Sequence, residues 1–396
     1  MPRRRLIIPH ESDGSLPGQA CYHVTSRVVH RQFLFQAEEK EHFRVLMRMF
    51  ERFSGCRVLS YCVMTNHFHL LLEVPPPPND GEFGITEEEL LYRLNGLYSR
   101  AYVAAVEGEL REAHALADGQ NDGFERLSEE DQEKAKVFGR EKRAAIFKRY
   151  TRRMHDLSEF MRGLLQRYTR WFNRRHGLRG HLWEDRFHSV IVEGGLAAKT
   201  MAAYIDLNPV RGGMVADPAD YRWSSYGEAL GGGRGAKKAQ QGLVRAIYAF
   251  GSKEVTSRSW AQGGVGKAYR KILLSTGMEQ GEDRGHAGRR KRVITRKGMN
   301  REKAKEELER LRDERERDLK ISKVIQCRVR YFRDGAVIGS RKFVNELFQA
   351  KREHFGPKRK DGARKPRGSL GELAGDLWSL RDLRDRKTGE PQEGVP

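Results

Sequence analysis

The sequence predicts an α+β fold, and three observations predict it. Short runs rich in β-formers occupy 20–29, 56–64 and 67–74, each bounded by turn or proline signals. Apolar residues at 43, 46, 47 and 50, and again at 157, 160, 161, 164, 165 and 168, recur with the period of an amphipathic helix. The chain has 396 residues. At roughly 100–200 residues per domain that is two or three domains, long enough to bury a sizeable core.

The elements follow in order. Cys21 to Val29 reads as a strand, 37–54 as a helix, and 56–64 and 67–74 as two strands separated by Thr65-Asn66. Pro75 to Pro78 end the last of these, because proline donates nothing to a sheet ladder. From about 79 to 155 the chain is dominated by Glu, Asp, Lys, Arg and Ala and reads as a solvated helical insertion. A helix over 157–176 precedes a turn at Gly177–Gly180, and Phe187 to Val192 reads as extended. The next helix spans about 195–208 and stops at Asn208-Pro209. Residues 230–240 are Gly- and Lys-rich and read as a linker. Beyond it come a short helical patch at 241–275, a basic stretch at 281–299, an exposed helix at 301–320 and a β-like run from Val324 to Phe332. A helix around Phe343 to Phe348 and a basic tail from 356, read as disordered, complete the chain. The expected organisation is a domain over 1–230 carrying the insertion, a linker and short helical region over 231–300, and a basic region over 301–396 that is a candidate accessory DNA-binding unit.

Composition narrows the partner. The chain has 75 Lys+Arg and 54 Asp+Glu, a formal charge of +21. Nucleic acid is the commonest partner of so basic a chain. No apolar run approaches the ~20 residues of a spanning helix, and the N-terminus lacks a signal-peptide stretch, so no membrane partner is expected. Cys21, Cys56, Cys62 and Cys327 form no C-x-x-C pair. They read as reduced thiols of a cytoplasmic protein, neither a disulfide frame nor a zinc site.

The sharpest local feature is Asn66-His67-Phe68-His69. Two residues apart on a strand, His67 and His69 point to one face and Phe68 to the other. Adjacent neutral imidazoles suit a divalent cation; the plainer reading is two surface histidines on a half-exposed strand. Tyr204 and Asn208, four apart, share a helix face at ~40° separation; the plainer reading is an ordinary helix C-terminus. Tyr168 is the rival nucleophile. Its nearest amide, Asn173, lies ~140° round the helix, so the spacing favours Tyr204. Glu184 and Asp185 are alternative metal ligands, and His23, His181 and His188 could support a metal site from outside or touch DNA. Arg27, Arg167, Arg170, Arg174, Arg175, Arg179, Arg186 and Arg211 concentrate around these motifs as candidate phosphate contacts. Gly339-Ser340-Arg341-Lys342-Phe343 reads either as the start of a helical DNA-binding unit or as an ordinary helix cap.

Five ordered motifs together resemble a known family. They are Tyr22-His23-Val24-Thr25-Ser26-Arg27, Asn66-His67-Phe68-His69-Leu70, the stretch from Tyr168 to Gly177, the stretch from Gly180 to Phe187, and Tyr204-Ile205-Asp206-Leu207-Asn208-Pro209-Val210-Arg211 followed by Trp223-Ser224-Ser225-Tyr226. In order and approximate spacing they resemble the Y1 transposases of the HUH endonuclease superfamily, most closely the REP-associated tyrosine transposases. The resemblance covers about 20–228, apart from the charged insertion.

The resemblance implies a ferredoxin-like antiparallel sheet with helices on one face, a helical insertion and a mostly helical C-terminal extension. It implies Tyr204 as nucleophile, and His67, His69 and Asn208 as holders of one Mg²⁺ or Mn²⁺. It implies single-stranded DNA bearing a hairpin as substrate, a 5′-phosphotyrosine intermediate with a free 3′-hydroxyl, and a monomer or homodimer with the tyrosine in cis or in trans. The setting it implies is bacterial-type and nucleoid-associated. Neutral ligands leave a cation its full charge to polarise a phosphodiester, and a phenol with a pKa near ~10 needs help to ionise. A covalent intermediate stores the bond energy for rejoining, in keeping with the lack of a visible P-loop. The alternative on the same fold is a non-cleaving DNA- or RNA-binding regulator.

Overall fold

The computed structural model describes residues 20–78, 83–121, 124–248, 258–262, 264–284, 291–311, 325, 332, 336–365 and 369–380. The chain divides into two compact units. One comprises residues 1–41, 57–73 and 179–396, the other 42–56 and 74–178.

The first unit is built on a sheet. Strands β1 (Ala20–Arg27), β2 (Arg57–Val63), β3 (His67–Glu73) and β4 (His188–Glu193) lie in the order β2-β3-β1-β4, with every neighbouring pair antiparallel. This is the order of the split, ferredoxin-like βαβ arrangement, as expected. The later chain adds to it. Among the described residues, strands β5 (Gln280–Arg284) and β6 (Lys291–Arg296) pair only with each other. Strand β7 (Val337–Gly339) runs parallel beside β4, and β8 (Trp378–Ser379) pairs antiparallel with β7, so the main sheet has six strands. The C-terminal extension is thus helical over much of its described length but also widens the sheet.

Helix α1 (Ala37–Ser54) begins in the first unit and continues into the second, which also holds α2 (Glu87–Asn95), α3 (Arg100–Asp118), α4 (Glu129–Thr151) and α5 (Leu157–His176). The expected helical insertion is therefore α2, α3 and α4. Thr86, Ser99, Ser128 and Asp156 cap α2 to α5 by accepting an N–H of the first turn. Ion pairs such as Lys142–Glu112 (2.8 Å) and Arg149–Glu109 (2.9 Å) lace α3 to α4. Exposed pairs contribute about 0–1 kcal/mol each, so the stripe of Val103, Val106 and Leu110, buried with Ile146 and Tyr150, carries the packing. On α1 the predicted stripe is buried as well, with Phe50 pressed on Gly163 of α5 and Phe43 edge-on to Tyr168 at 5.3 Å.

Back in the first unit, α6 (Leu196–Asp206), α7 (Asn208–Arg211), α8 (Ser225–Leu230), α9 (Gly233–Ile247), α10 (Arg258–Ala261), α11 (Val265–Gly277) and α12 (Arg301–Arg310) follow in turn. Met201, Ala202 and Ile205 of α6, Leu243 of α9 and Ile272 of α11 bury the sheet face that carries Cys21, Leu71 and Val192.

Helix α9 lies where glycine content reads as a linker. At Gly242 a Cβ would run into the carbonyl oxygens of Val58 and Leu59. Glycine there allows close backbone approach, beside the bulge between Val58 and Ser60 of β2. Arg245 on the same helix makes a buried two-point ion pair with Glu73 at the end of β3. Composition alone cannot tell a flexible glycine from one that admits a neighbour.

The tail differs from expectation in the same way. Residues 356–365 and 369–380 are ordered into contacts: Gly362 donates to Asn345 Oδ1 at 3.1 Å, and Arg359 covers the Phe348 and Phe355 rings at 5.5 and 5.2 Å. Ser340 caps the helix Arg341–Ala350 and donates to Glu193 Oε1 at 3.0 Å, which favours the helix-cap reading of that motif. The β-like run from Val324 to Phe332 lies outside the described residues except at Ile325 and Phe332, as does Cys327. Cys21, Cys56 and Cys62 are buried thiols. Burial raises the Cys21 and Cys62 pKa values well above the usual range, which keeps both protonated.

Replacing Gly242 by Ala should lower stability by about 1–3 kcal/mol, the cost of overpacking. The urea midpoint should fall with an unchanged slope; an unmoved midpoint would show that α9 does not press on β2.

Candidate active site

The pairing of β1 with β3 assembles the histidines. Thr25 stands opposite His69, Arg27 opposite His67 and His23 opposite Leu71. Directly opposed residues share a face, and diagonal neighbours lie within reach of long side chains. His23 accordingly reaches His69: the rings stack at 5.2 Å and 7°, with His23 Nε2 3.0 Å from His69 Nδ1. His67 lies edge-on to His69 at 5.0 Å, and its Nδ1 is 2.6 Å from Asn66 Oδ1. His23 and His69 are each 1% exposed, and His67 is half-buried.

Helix α6 delivers the tyrosine to this face. The Tyr204 ring is edge-on to His69 at 5.8 Å and to His23 at 6.1 Å, and it stacks on Phe332 at 4.6 Å. The Asn-Pro step behind it has a local cause. Pro209 has no N–H for the Ile205 carbonyl. Asn208 Nδ2 takes its place, donating to Ile205 O at 3.3 Å and to Tyr204 O at 3.0 Å. With its nitrogen committed to the helix, Asn208 presents Oδ1 as its acceptor.

Asp206, between them, is a clamp. It is fully buried; Oδ1 accepts the Tyr226 N–H at 2.9 Å and Oδ2 the Tyr269 hydroxyl at 2.7 Å. Burial drives its pKa up to about 7, against the opposing pull of these hydrogen bonds. The segment it grips is itself stitched to β2: Val63 N–H donates to Trp223 O (2.9 Å), Tyr61 N–H to Ser225 Oγ (2.8 Å), and the Tyr221 hydroxyl to Val63 O (2.6 Å). The Trp223-Ser224-Ser225-Tyr226 motif thus fixes α6 against the sheet.

The electrostatics centre on Arg211. Its guanidinium lies 5.4 Å from the centre of the Tyr204 ring, and its Nη2 donates to Ile325 O at 2.9 Å. Arg296, which sequence reasoning passed over, donates to the same carbonyl at 3.1 Å. Nη1 of Arg211 is buried without a partner among the described residues. Burial, then the neighbouring Arg296 charge, push the Arg211 pKa down to about 9. An arginine stays protonated even so.

The other candidates disperse. Arg170, Arg174 and Arg175 of α5 are exposed, as is Arg186, and Arg27 is half-buried. Arg167 is committed to packing: it donates to Leu97 O and lies 5.9 and 5.2 Å from the Phe50 and Tyr98 rings. Burial lowers its pKa. Tyr168 is fully buried among Phe43, Trp171 and Phe172. Glu184 and Asp185 occupy an exposed turn, where Asp185 Oδ1 accepts the Arg186 N–H; His181 and His188 are exposed.

Among the described residues no group of three or more His, Cys, Asp or Glu is arranged to hold a metal ion. The donor set expected from sequence has only two residues of those types and an amide. Its chemistry fits a divalent cation: Asn66 Oδ1 can only accept, so the lone pair of neutral His67 is on Nε2, and Asn208 presents an oxygen.

Residues 18–79 match a family model described as transposase IS200 like. The match spans β1, α1, β2 and β3, the elements that carry His23, His67 and His69. Over this segment the chain is similar to that transposase family; the match does not extend to α6. No curated protein and no solved structure matches. Among the described residues no helix is long and apolar enough to cross a membrane.

The clamp has a pH signature. Because the folded-state pKa of Asp206 lies above its unfolded value near ~4, its contribution is full below pH ~4 and is lost as pH rises through 7. Asp206→Asn keeps an acceptor for Tyr226 and does not titrate. In urea melts from pH 4 to 8 the wild type should lose stability relative to this variant up to about pH 7 and then run parallel; parallel curves throughout would refute the assignment.

Proposed function

We propose that the chain cleaves and rejoins single-stranded DNA at hairpin, REP-like sites through a phosphotyrosine formed at Tyr204. What carries this is one juxtaposition: a half-buried tyrosine beside His69, with the Arg211 guanidinium, whose Nη1 lacks a partner among the described residues, against its ring.

Tyr204 Oη attacks the scissile phosphorus, the bond to O3′ breaks, and the 3′-oxygen leaves with a proton as a hydroxyl. The 5′-phosphate stays on the tyrosine, and a 3′-hydroxyl can later reverse the step without a further energy source. Arg211 does two things here. Its charge favours the phenolate over a phenol of ordinary pKa near ~10, and its Nη1–H, without a partner among the described residues, is the donor we assign to a phosphate oxygen. Arg296 adds a second positive charge at the same point. His67, His69 and Asn208 would hold one Mg²⁺ or Mn²⁺, which when bound supplies Lewis-acid polarisation of the phosphate. Tyr204 lies 5.8 Å from His69, ring centre to ring centre.

Exposed Arg186 on the one unit, and the exposed arginines of α5 on the other, are each candidate phosphate contacts.

Tyr204→Phe should abolish the covalent adduct with a hairpin oligonucleotide carrying a single-stranded flank, while Tyr168→Phe keeps it in any folded fraction. An adduct surviving in Tyr204→Phe excludes Tyr204. Retained binding with no adduct in the wild type leaves the non-cleaving regulator. Arg211→Gln should slow adduct formation ~10²–10³-fold, as for loss of a transition-state donor. The double change Arg174→Ala, Arg175→Ala should instead leave the cleavage rate of bound DNA unchanged. It should flatten the dependence of log K on log salt by ~0.7 per lost contact.

A further inference from the structure

His23 is buried beside the candidate ligands, and both of its ring nitrogens are engaged. Nδ1 is 2.6 Å from the main-chain oxygen of Phe332, and Nε2 is 3.0 Å from His69 Nδ1. Two engaged nitrogens leave this ring no coordinating atom, so it is not a third ligand of the same kind.

The hydrogens on this line follow from the first partner. A carbonyl oxygen only accepts, so His23 Nδ1 carries the hydrogen. Removal from water favours the uncharged ring, and an uncharged imidazole has one N–H, so His23 Nε2 is an acceptor. The hydrogen in the 3.0 Å contact therefore belongs to His69 Nδ1. That leaves the lone pair of His69 on Nε2, matching His67, whose Nδ1–H faces Asn66 Oδ1.

We propose that His23 is a positioning residue: the line Phe332 carbonyl–His23–His69 fixes His69 as its Nδ1–H tautomer and holds the ring plane with Nε2 as the ligand nitrogen. This rests on the reading of His69 as a metal ligand. Metal-bound histidines are ordinarily oriented by a carbonyl or carboxylate on the second nitrogen. Here the orienting carbonyl acts at one remove, through a stacked imidazole. It belongs to a residue 309 positions away, in the C-terminal third, whose ring also stacks on Tyr204. The C-terminal third thereby takes part in setting up the site.

The test uses the full chain labelled with ¹⁵N-histidine and free of metal, with resonances assigned through single His→Gln variants. Long-range ¹H–¹⁵N spectra should report His69 as Nδ1–H. In His23→Phe that preference should disappear and Mn²⁺ should bind ~10–100-fold more weakly, the usual cost of losing an orienting partner. In His23→Gln, whose amide can accept from His69 and donate to Phe332, both should recover. Near-UV circular dichroism checks that each variant is folded. An Nε2–H or doubly protonated His69 in the wild type overturns the proposal without any variant. So does a folded His23→Phe with unchanged tautomer and Mn²⁺ affinity. A locked Nδ1–H tautomer in a wild type that binds no Mn²⁺ would sink the metal reading alone.

Discussion

The register between β1 and β3 is the constraint on which the site depends. Its period of two places His23, Thr25 and Arg27 on the face of Leu71, His69 and His67. A slip by one residue would turn His23 away from His69 and expose apolar residues now buried on the opposite face, such as Tyr22, Val24 and Phe68. The buried core on both sides of these strands therefore enforces the geometry of three imidazoles. What the strands place, the helix must meet, and Asp206 with the Trp223–Tyr226 segment supplies that fixed distance.

Arginine is used in two distinct ways within the same unit. Arg245 faces Glu73, and Arg270 faces Asp217 and Glu307, at charge-assisted contacts. These are structural ties, and such pairs need their geometry satisfied to offset desolvation. Arg211 instead meets a main-chain carbonyl, the face of a tyrosine and another guanidinium. One of its nitrogens, Nη1, is left without an acceptor among the described residues.

Much of this was legible beforehand because it is local. Strand alternation gives His67 and His69 a common face, and helical spacing brings Tyr204 and Asn208 together, each read from a window of five residues. The sheet order followed from the family resemblance. What stayed hidden is what tertiary contact decides. Asp206 reads as a residue off the catalytic face, yet it holds the helix by bonds spanning 20 and 63 positions. Arg296 sits in a stretch without clear patterning, and Phe332 lies in a run that reads as an ordinary strand. The glycines of 230–240 misled most, because they open helix α9, whose Gly242 packs on the backbone of a distant strand.

The parallel pairing of β7 with β4 bears on where the chain can be cut. Ile191 donates its N–H to Ala336 O at 2.9 Å, and β8 in turn pairs with β7. A chain ending after 230 would leave β4, with its buried Val190, Ile191 and Val192, as the rim of the sheet. Apolar rims with open N–H and C=O groups recruit other strands. The segment after 230, through β7 and β8, covers that rim.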